Sequence, residues 1–156
     1  MSWMYAEDLK PGMEFRFGRW PMTEEDIISF AKVFDAQPMH IDPEAAAAGQ
    51  WGGIIASGLH TMSIYQSLLV DALWNDVVGK AGRNVNGRLR RPVRPGMVLT
   101  GKATVLGVTP RPEKGDAILE LRSELVDEGS GEVVCIVEAD AVLLMRPASG
   151  APRAAH

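Results

Sequence analysis

The chain has 156 residues, 46 % of them hydrophobic and 23 % charged, a balance that sustains one well-buried domain and leaves too little chain for two. Sixteen basic side chains against twenty acidic ones give a formal charge of −4, which argues against nucleic acid as a partner because phosphate binding draws on a basic surplus. The single cysteine, Cys135, fits a reducing compartment. The chain does not open on a basic flank and apolar run, and its longest apolar stretch, residues 59–78, is broken by His60, Gln66, Asp71, Asn75 and Asp76. The expectation is a cytoplasmic protein without a membrane span.

Residues 13–20 (MEFRFGRW) alternate apolar and polar side chains, the pattern of a half-buried strand. Thr23 then caps a helix over residues 24–34, with Glu24, Glu25 and Asp26 in its first turn, near the positive end of the helix dipole. Pro38 predicts a loop over residues 35–40, since the residue before a proline avoids the α region. Asp42 and Pro43 open a short helix through a four-alanine run, and the glycine-rich residues 49–53 end it. A long helix is expected from Gly58 to about residue 78. Leu59, Met62, Tyr65, Leu69, Ala72 and Leu73 lie on one side, and this should be the most deeply buried helix.

After residue 82 the pattern turns to strands: 84–91, 97–108, 117–127 and 132–145, separated by turn signals at Arg94-Pro95-Gly96, 110–115 and 128–131. The order predicts an α+β domain over residues 1–146, an antiparallel meander burying one face against the long helix. Residues 147–156, rich in Pro, Ala and Gly, are expected to form a disordered tail.

The chemistry concentrates in Phe34-Asp35-Ala36-Gln37-Pro38-Met39-His40-Ile41-Asp42-Pro43 and in Ser57-Gly58. Asp35 and His40 stand five residues apart across a proline-stiffened turn, close enough for a carboxylate and an imidazole to share one water. Histidine titrates near neutrality and can take or give a proton with little tuning. Gly58 opens a helix, so its N–H has no intrahelical partner and can meet an oxyanion, and the missing side chain permits close approach. Addition of water across an α,β-unsaturated thioester uses such a set: negative charge builds on the thioester oxygen while one proton leaves water and one reaches the α-carbon.

This segment resembles the signature of the MaoC-like dehydratases and R-specific enoyl-CoA hydratases, roughly Asp-x-Asn-Pro-x-His-x-Asp followed by a glycine-rich loop and a Ser-Gly or His-Gly pair. Asp35, Pro38, His40, Asp42, Ser57 and Gly58 match in spacing, and residues 90–96 resemble the strand and turn that come next in that family. The similarity covers roughly residues 10–145, with its specific part at 35–58. The resemblance implies a hot-dog fold, a sheet wrapped round a central helix, in a homodimer or higher oligomer. It also implies Asp35 and His40 as the catalytic pair, the Gly58 amide as oxyanion donor, and an acyl-CoA or acyl carrier protein thioester as substrate, with no metal or separate cofactor. Two positions depart from it: Gln37 replaces the usual Asn, and Gln66 stands where some members carry a serine eight residues past the glycine. Gln37, Ser57 and Gln66 are thus candidate substrate contacts.

Plainer roles stand beside these. Asp35 can bond loop amides, His40 can pack in a loop, and Asp42 and Ser57 can cap helices. His60 can belong to core or interface, and Cys135 reads as a small buried hydrophobe. His40, Asp42 and His60 lack a recognisable metal-ligand spacing. Arg83, Arg88, Arg90, Arg91 and Arg94 fall in a stretch without acid. Arg90 and Arg94 are the candidates for gripping coenzyme A phosphates, against a solvated, charge-guarded edge strand. Rival functions are a hot-dog thioesterase and a non-catalytic acyl-CoA-binding protein.

Overall fold

The computed structural model describes residues 3–79 and 81–148. The expected tail falls almost wholly on residues 149–156, outside the described residues.

The expected first strand is two short ones, β1 (Glu14–Arg16) and β2 (Trp20–Pro21). Between them Phe17 N–H still bonds Gly101 O at 2.9 Å, but Arg16 stands opposite Lys102 and Trp20 opposite Leu99, so one extra residue interrupts the ladder. Helix α1 spans Glu24–Phe34, and Thr23 Oγ1 accepts from Asp26 N–H, as the cap chemistry requires. The expected loop at 35–40 is a loop only through Gln37, because Pro38–Ile41 forms one helical turn, α2. Proline keeps its predecessor extended, and Gln37 is so (φ −80°, ψ 144°). The same ring also presets the first helical φ, which makes Pro38 a helix opener. Helix α3 spans Pro43–Ala48, with Asp42 Oδ1 accepting from the N–H groups of Glu44 and Ala45.

Helix α4 (Gly58–Ala72) is shorter than expected, ending in a 3-10 turn over Trp74–Asp76 where the apolar run meets Asn75 and Asp76. It buries Ile64, Tyr65, Leu68 and Leu69, but Leu59 faces outward, 57 % exposed. In a helix apolar almost all round, spacing does not say which face meets the sheet.

Four longer strands complete the chain: β3 (Ala81–Leu89), β4 (Val98–Arg111), β5 (Asp116–Asp127) and β6 (Val133–Leu144). All pairings are antiparallel, in the order β1–β4–β5–β6–β3, with β2 also on β4. The four-strand meander is therefore three strands, and β3 crosses to the far edge beside β6, with Leu89 opposite Cys135. The end of α4 delivers it there, as Leu144 N–H bonds Val78 O.

The sheet curls round α4. At one edge Leu89 of β3 lies against Gly58, and at the other Phe17, beside β1, packs edge-on to Tyr65 with ring centroids 6.2 Å apart. Both edges thus meet one helix, and the buried side chains of α4, β4, β5 and β6 form one core. Gly101 carries part of this curvature. Its φ of +147° disfavours other residues, and a Cβ there would sit 1.9 Å from Glu124 O of β5.

Candidate active site

Three chain segments meet at the N-terminus of α4. The first is the corner between α1 and α2, which holds Asp35 and His40. The second is the extended run Ile54, Ile55, Ala56, all buried. It is tied to Met39 through Ile55 N–H (3.2 Å) and to Val93 through Ala56 N–H (2.8 Å). The third is Ser57-Gly58, where α4 begins.

Asp35 is held from both sides. Ser57 Oγ donates to its Oδ2 at 2.6 Å and Gln37 Nε2 donates to its Oδ1 at 2.7 Å. These bonds, Ser57 first, hold the Asp35 carboxyl below the ordinary carboxylate range against the opposing effect of desolvation, with a smaller contribution from His40. The extra methylene of Gln37 thus still lets its amide reach the carboxylate. Ser57 is fully buried and also accepts from Leu59 N–H at 3.2 Å, so its cap role and its role on Asp35 coexist.

His40 is buried, with Nδ1 2.6 Å from Ile55 O. A carbonyl only accepts, so Nδ1 carries a proton and Nε2 is the nitrogen turned toward Asp35. That nitrogen lies 3.5 Å from Asp35 Oδ2. The two side chains do face the same point.

Asp35, Gln37, His40 and Gly58 line one cavity of about 380 Å³, together with Trp51, Thr61, Leu89, Arg90 and Arg91. Among the described residues the Gly58 N–H has no acceptor. A Cβ at residue 58 would come within 2.3 Å of Leu89 Cδ1, so the close strand–helix approach also uses the missing side chain.

The other sequence candidates separate. Arg90 lines the cavity, but Arg94 Nη2 donates to Trp51 O at 2.7 Å, on the glycine-rich loop. Arg91 pairs with Glu132 at 3.1 Å and Arg83 with Asp140 at 3.6 Å. Gln66 is exposed and lines two other cavities along α4, of about 200 and 530 Å³, neither of which touches Asp35 or His40. His60 stacks on Phe30 at 4.5 Å, its imidazole pushed down by burial, and serves as a core ring. No group of three His, Cys, Asp or Glu among the described residues is placed to hold a metal. The sequence reading missed the Ile55 carbonyl, which has no side-chain signature, and Trp51, for which an aromatic set among glycines was the available signal.

The sequence matches the MaoC like domain family over residues 7–124. A MaoC-like dehydratase from Rhodospirillum rubrum superposes with a TM-score of 0.84 at 36 % identity, covering 93 % of this chain and 99 % of that one. R-hydratase PhaJ1 from Pseudomonas aeruginosa has the same fold, with a TM-score of 0.74 at 22 % identity over 97 % of this chain and 96 % of its own. Protein YdeM of Bacillus subtilis (strain 168) is 37 % identical over 68 residues, 44 % of this chain and 48 % of that protein, so the matched stretch spans about half of that relative. The fold is the hot dog, an antiparallel sheet wrapped round a central helix. With more than half of its residues inside the family match, the chain belongs to the MaoC-like domain family.

Proposed function

We propose that this chain catalyses the reversible addition of water to a 2-enoyl thioester, acting as an R-specific enoyl-CoA hydratase and 3-hydroxyacyl dehydratase. The observation that carries the reading is the 3.5 Å approach of Asp35 Oδ2 to His40 Nε2 in a cavity shared with Gly58. The R specificity is taken from the fold neighbour named as an R-hydratase.

With Nδ1–H committed to Ile55, the reaction draws on the lone pair of Nε2, which faces the Asp35 carboxylate. Such a pair suits a water that gives one hydrogen to each. As the water oxygen bonds to the β-carbon, Nε2 takes a proton, and Asp35, a weak base by its lowered pKa, steadies the imidazolium. Electrons move onto the thioester oxygen, where the Gly58 N–H at the positive end of α4 stabilises the enolate. The imidazolium then returns its proton to the α-carbon, so one water is added and both side chains end as they began. The chemistry needs no cofactor beyond the carrier on the thioester.

Arg90 at the cavity wall suits the phosphates of coenzyme A or of a phosphopantetheine carrier. The buried single cysteine and this substrate class fit the cytoplasm. The reading includes a homodimer: all nine residues of β3 are exposed and among the described residues its outer edge has no strand partner, with Val85 at 59 % and Leu89 at 58 %. Sedimentation at micromolar protein checks this, and a monomer would remove it.

The deciding assay follows the absorbance of a conjugated enoyl thioester alongside a thiol reagent. Loss of conjugation without free thiol supports hydration. Thiol release means a thioesterase, and neither signal means an acyl-binding protein.

A further inference from the structure

Arg94 stands in a tight turn, where Met97 N–H bonds Arg94 O at 3.3 Å and Gly96 N–H bonds Met22 O at 2.8 Å. From there its guanidinium reaches over residues 49–53, donating from Nη2 to Trp51 O at 2.7 Å. No carboxylate pairs with it among the described residues. That loop, Gly49-Gln50-Trp51-Gly52-Gly53, is poorly able to hold itself. Gly52 and Gly53 have φ of +68° and +156°, and three of its five residues have no side chain to pack. Its own backbone supplies one turn bond, Gly52 N–H to Gly49 O.

The segment immediately after the loop reaches the catalytic histidine. Residues 54–56 run as a rail between two partners. On one side Ala56 N–H is bonded to Val93 O; on the other Ile55 N–H is bonded to Met39 O, and Ile55 O accepts the Nδ1–H of His40. Val93 and Arg94 are adjacent, so the turn anchors the segment twice, at Ala56 and at Trp51. Trp51 also lines the cavity.

We infer that Arg94 is a positioning residue: it braces the glycine-rich loop and, through it, the Ile55 carbonyl that orients His40, and it does not grip substrate phosphate. This rests on the hydratase reading for its kinetic consequence but not for the brace itself.

The experiment compares wild type with Arg94→Met, Arg94→Lys and Arg90→Met. It reads amide hydrogen exchange over residues 49–56 and turnover of two probes, crotonyl-CoA and crotonyl-N-acetylcysteamine, the second of which has no phosphate. For Arg94→Met, exchange in 49–56 rises at least about tenfold. Its kcat falls at least about tenfold on both probes while KM moves less than about threefold, the pattern of a misplaced catalytic group. Lysine, which can still donate to the carbonyl, recovers part of both. Arg90→Met raises KM for the CoA ester alone. Unchanged exchange in 49–56 overturns the brace, as does a defect confined to KM for crotonyl-CoA, which marks a phosphate contact. If wild type turns over neither probe, the hydratase reading falls while exchange still decides the brace. Should Arg94→Met fail to fold, Arg94→Gln, too short to reach Trp51 O, is read in its place against the same outcomes.

Discussion

The two halves of α4 share one helix and differ in almost everything else. The N-terminal end buries polar groups, with Ser57, His60 and Thr61 all at 7 % exposure or less: Ser57 bonds Asp35, Thr61 bonds back to the Ser57 carbonyl, and the His60 ring stacks on Phe30. The C-terminal half buries Ile64, Leu68 and Leu69, which ask for no hydrogen bond beyond the backbone, and its one buried polar side-chain atom is the hydroxyl of Tyr65. Burying apolar surface stabilises without direction, whereas buried polar groups stabilise only when partnered in the right geometry. The far half therefore holds the fold together, and the near half holds a geometry.

The largest expected effect tests the far half. Leu68→Ala should cost about 2–5 kcal/mol in unfolding free energy, measured with denaturant, through lost transfer energy and the cavity left behind. The molecules that remain folded should keep near-wild-type turnover of a short enoyl thioester; a specific rate falling in step with stability would erase the division. At the near half, Asp35→Asn and His40→Gln should each lower turnover at least about a hundredfold, about 2.7 kcal/mol of barrier, while stability moves less than in Leu68→Ala. Either variant retaining close to full rate would break the assignment.

Ser57→Ala sharpens the contrast because Ser57 serves both purposes. Loss of the cap should cost about 1 kcal/mol of stability. Since the Ser57 bond is the largest cause of the lowered Asp35 pKa, its removal lets that pKa rise toward the ordinary value. A depressed carboxylate contributes stability that is present above its unfolded pKa and lost as pH falls through the folded pKa. In Ser57→Ala that loss, and the acid limb of kcat/KM carried by Asp35, should both begin at higher pH. A pH–rate profile with an unmoved acid limb would mean that Gln37 alone suffices.

Much of this was legible where the cause is local. Thr23 and Asp42 announce their helices by cap chemistry, α1 runs over the expected residues, and Asp35 and His40 lie together because a short, proline-braced stretch allows few arrangements, while Gly58 is brought beside them by the Ser57–Asp35 bond. Features that depend on distant partners were not legible. Alternation marks β3 as a strand but carries no information on whether its neighbour is β4 or β6. The pattern of residues 13–20 does not reveal that one extra residue between Arg16 and Trp20 splits the strand in two against β4. Arg94 illustrates the same limit: a run of arginines reads as charge for an anion, and only the fold shows one of them spent on a backbone carbonyl.

The pairing of β3 with β6 bears on the order in which the molecule can be made. Leu89, which closes over Gly58, sits on a strand whose ladder partner among the described residues is β6, in register from Ala81 opposite Val142 to Leu89 opposite Cys135. Until residues 133–144 have been synthesised, β3 lacks the strand it pairs with, and the wall beside the Gly58 amide is missing. Contacts so far apart in sequence form late and slowly. A nascent chain that already contains Asp35, His40 and Gly58 is therefore still without the finished cavity around them, and its assembly waits for β6.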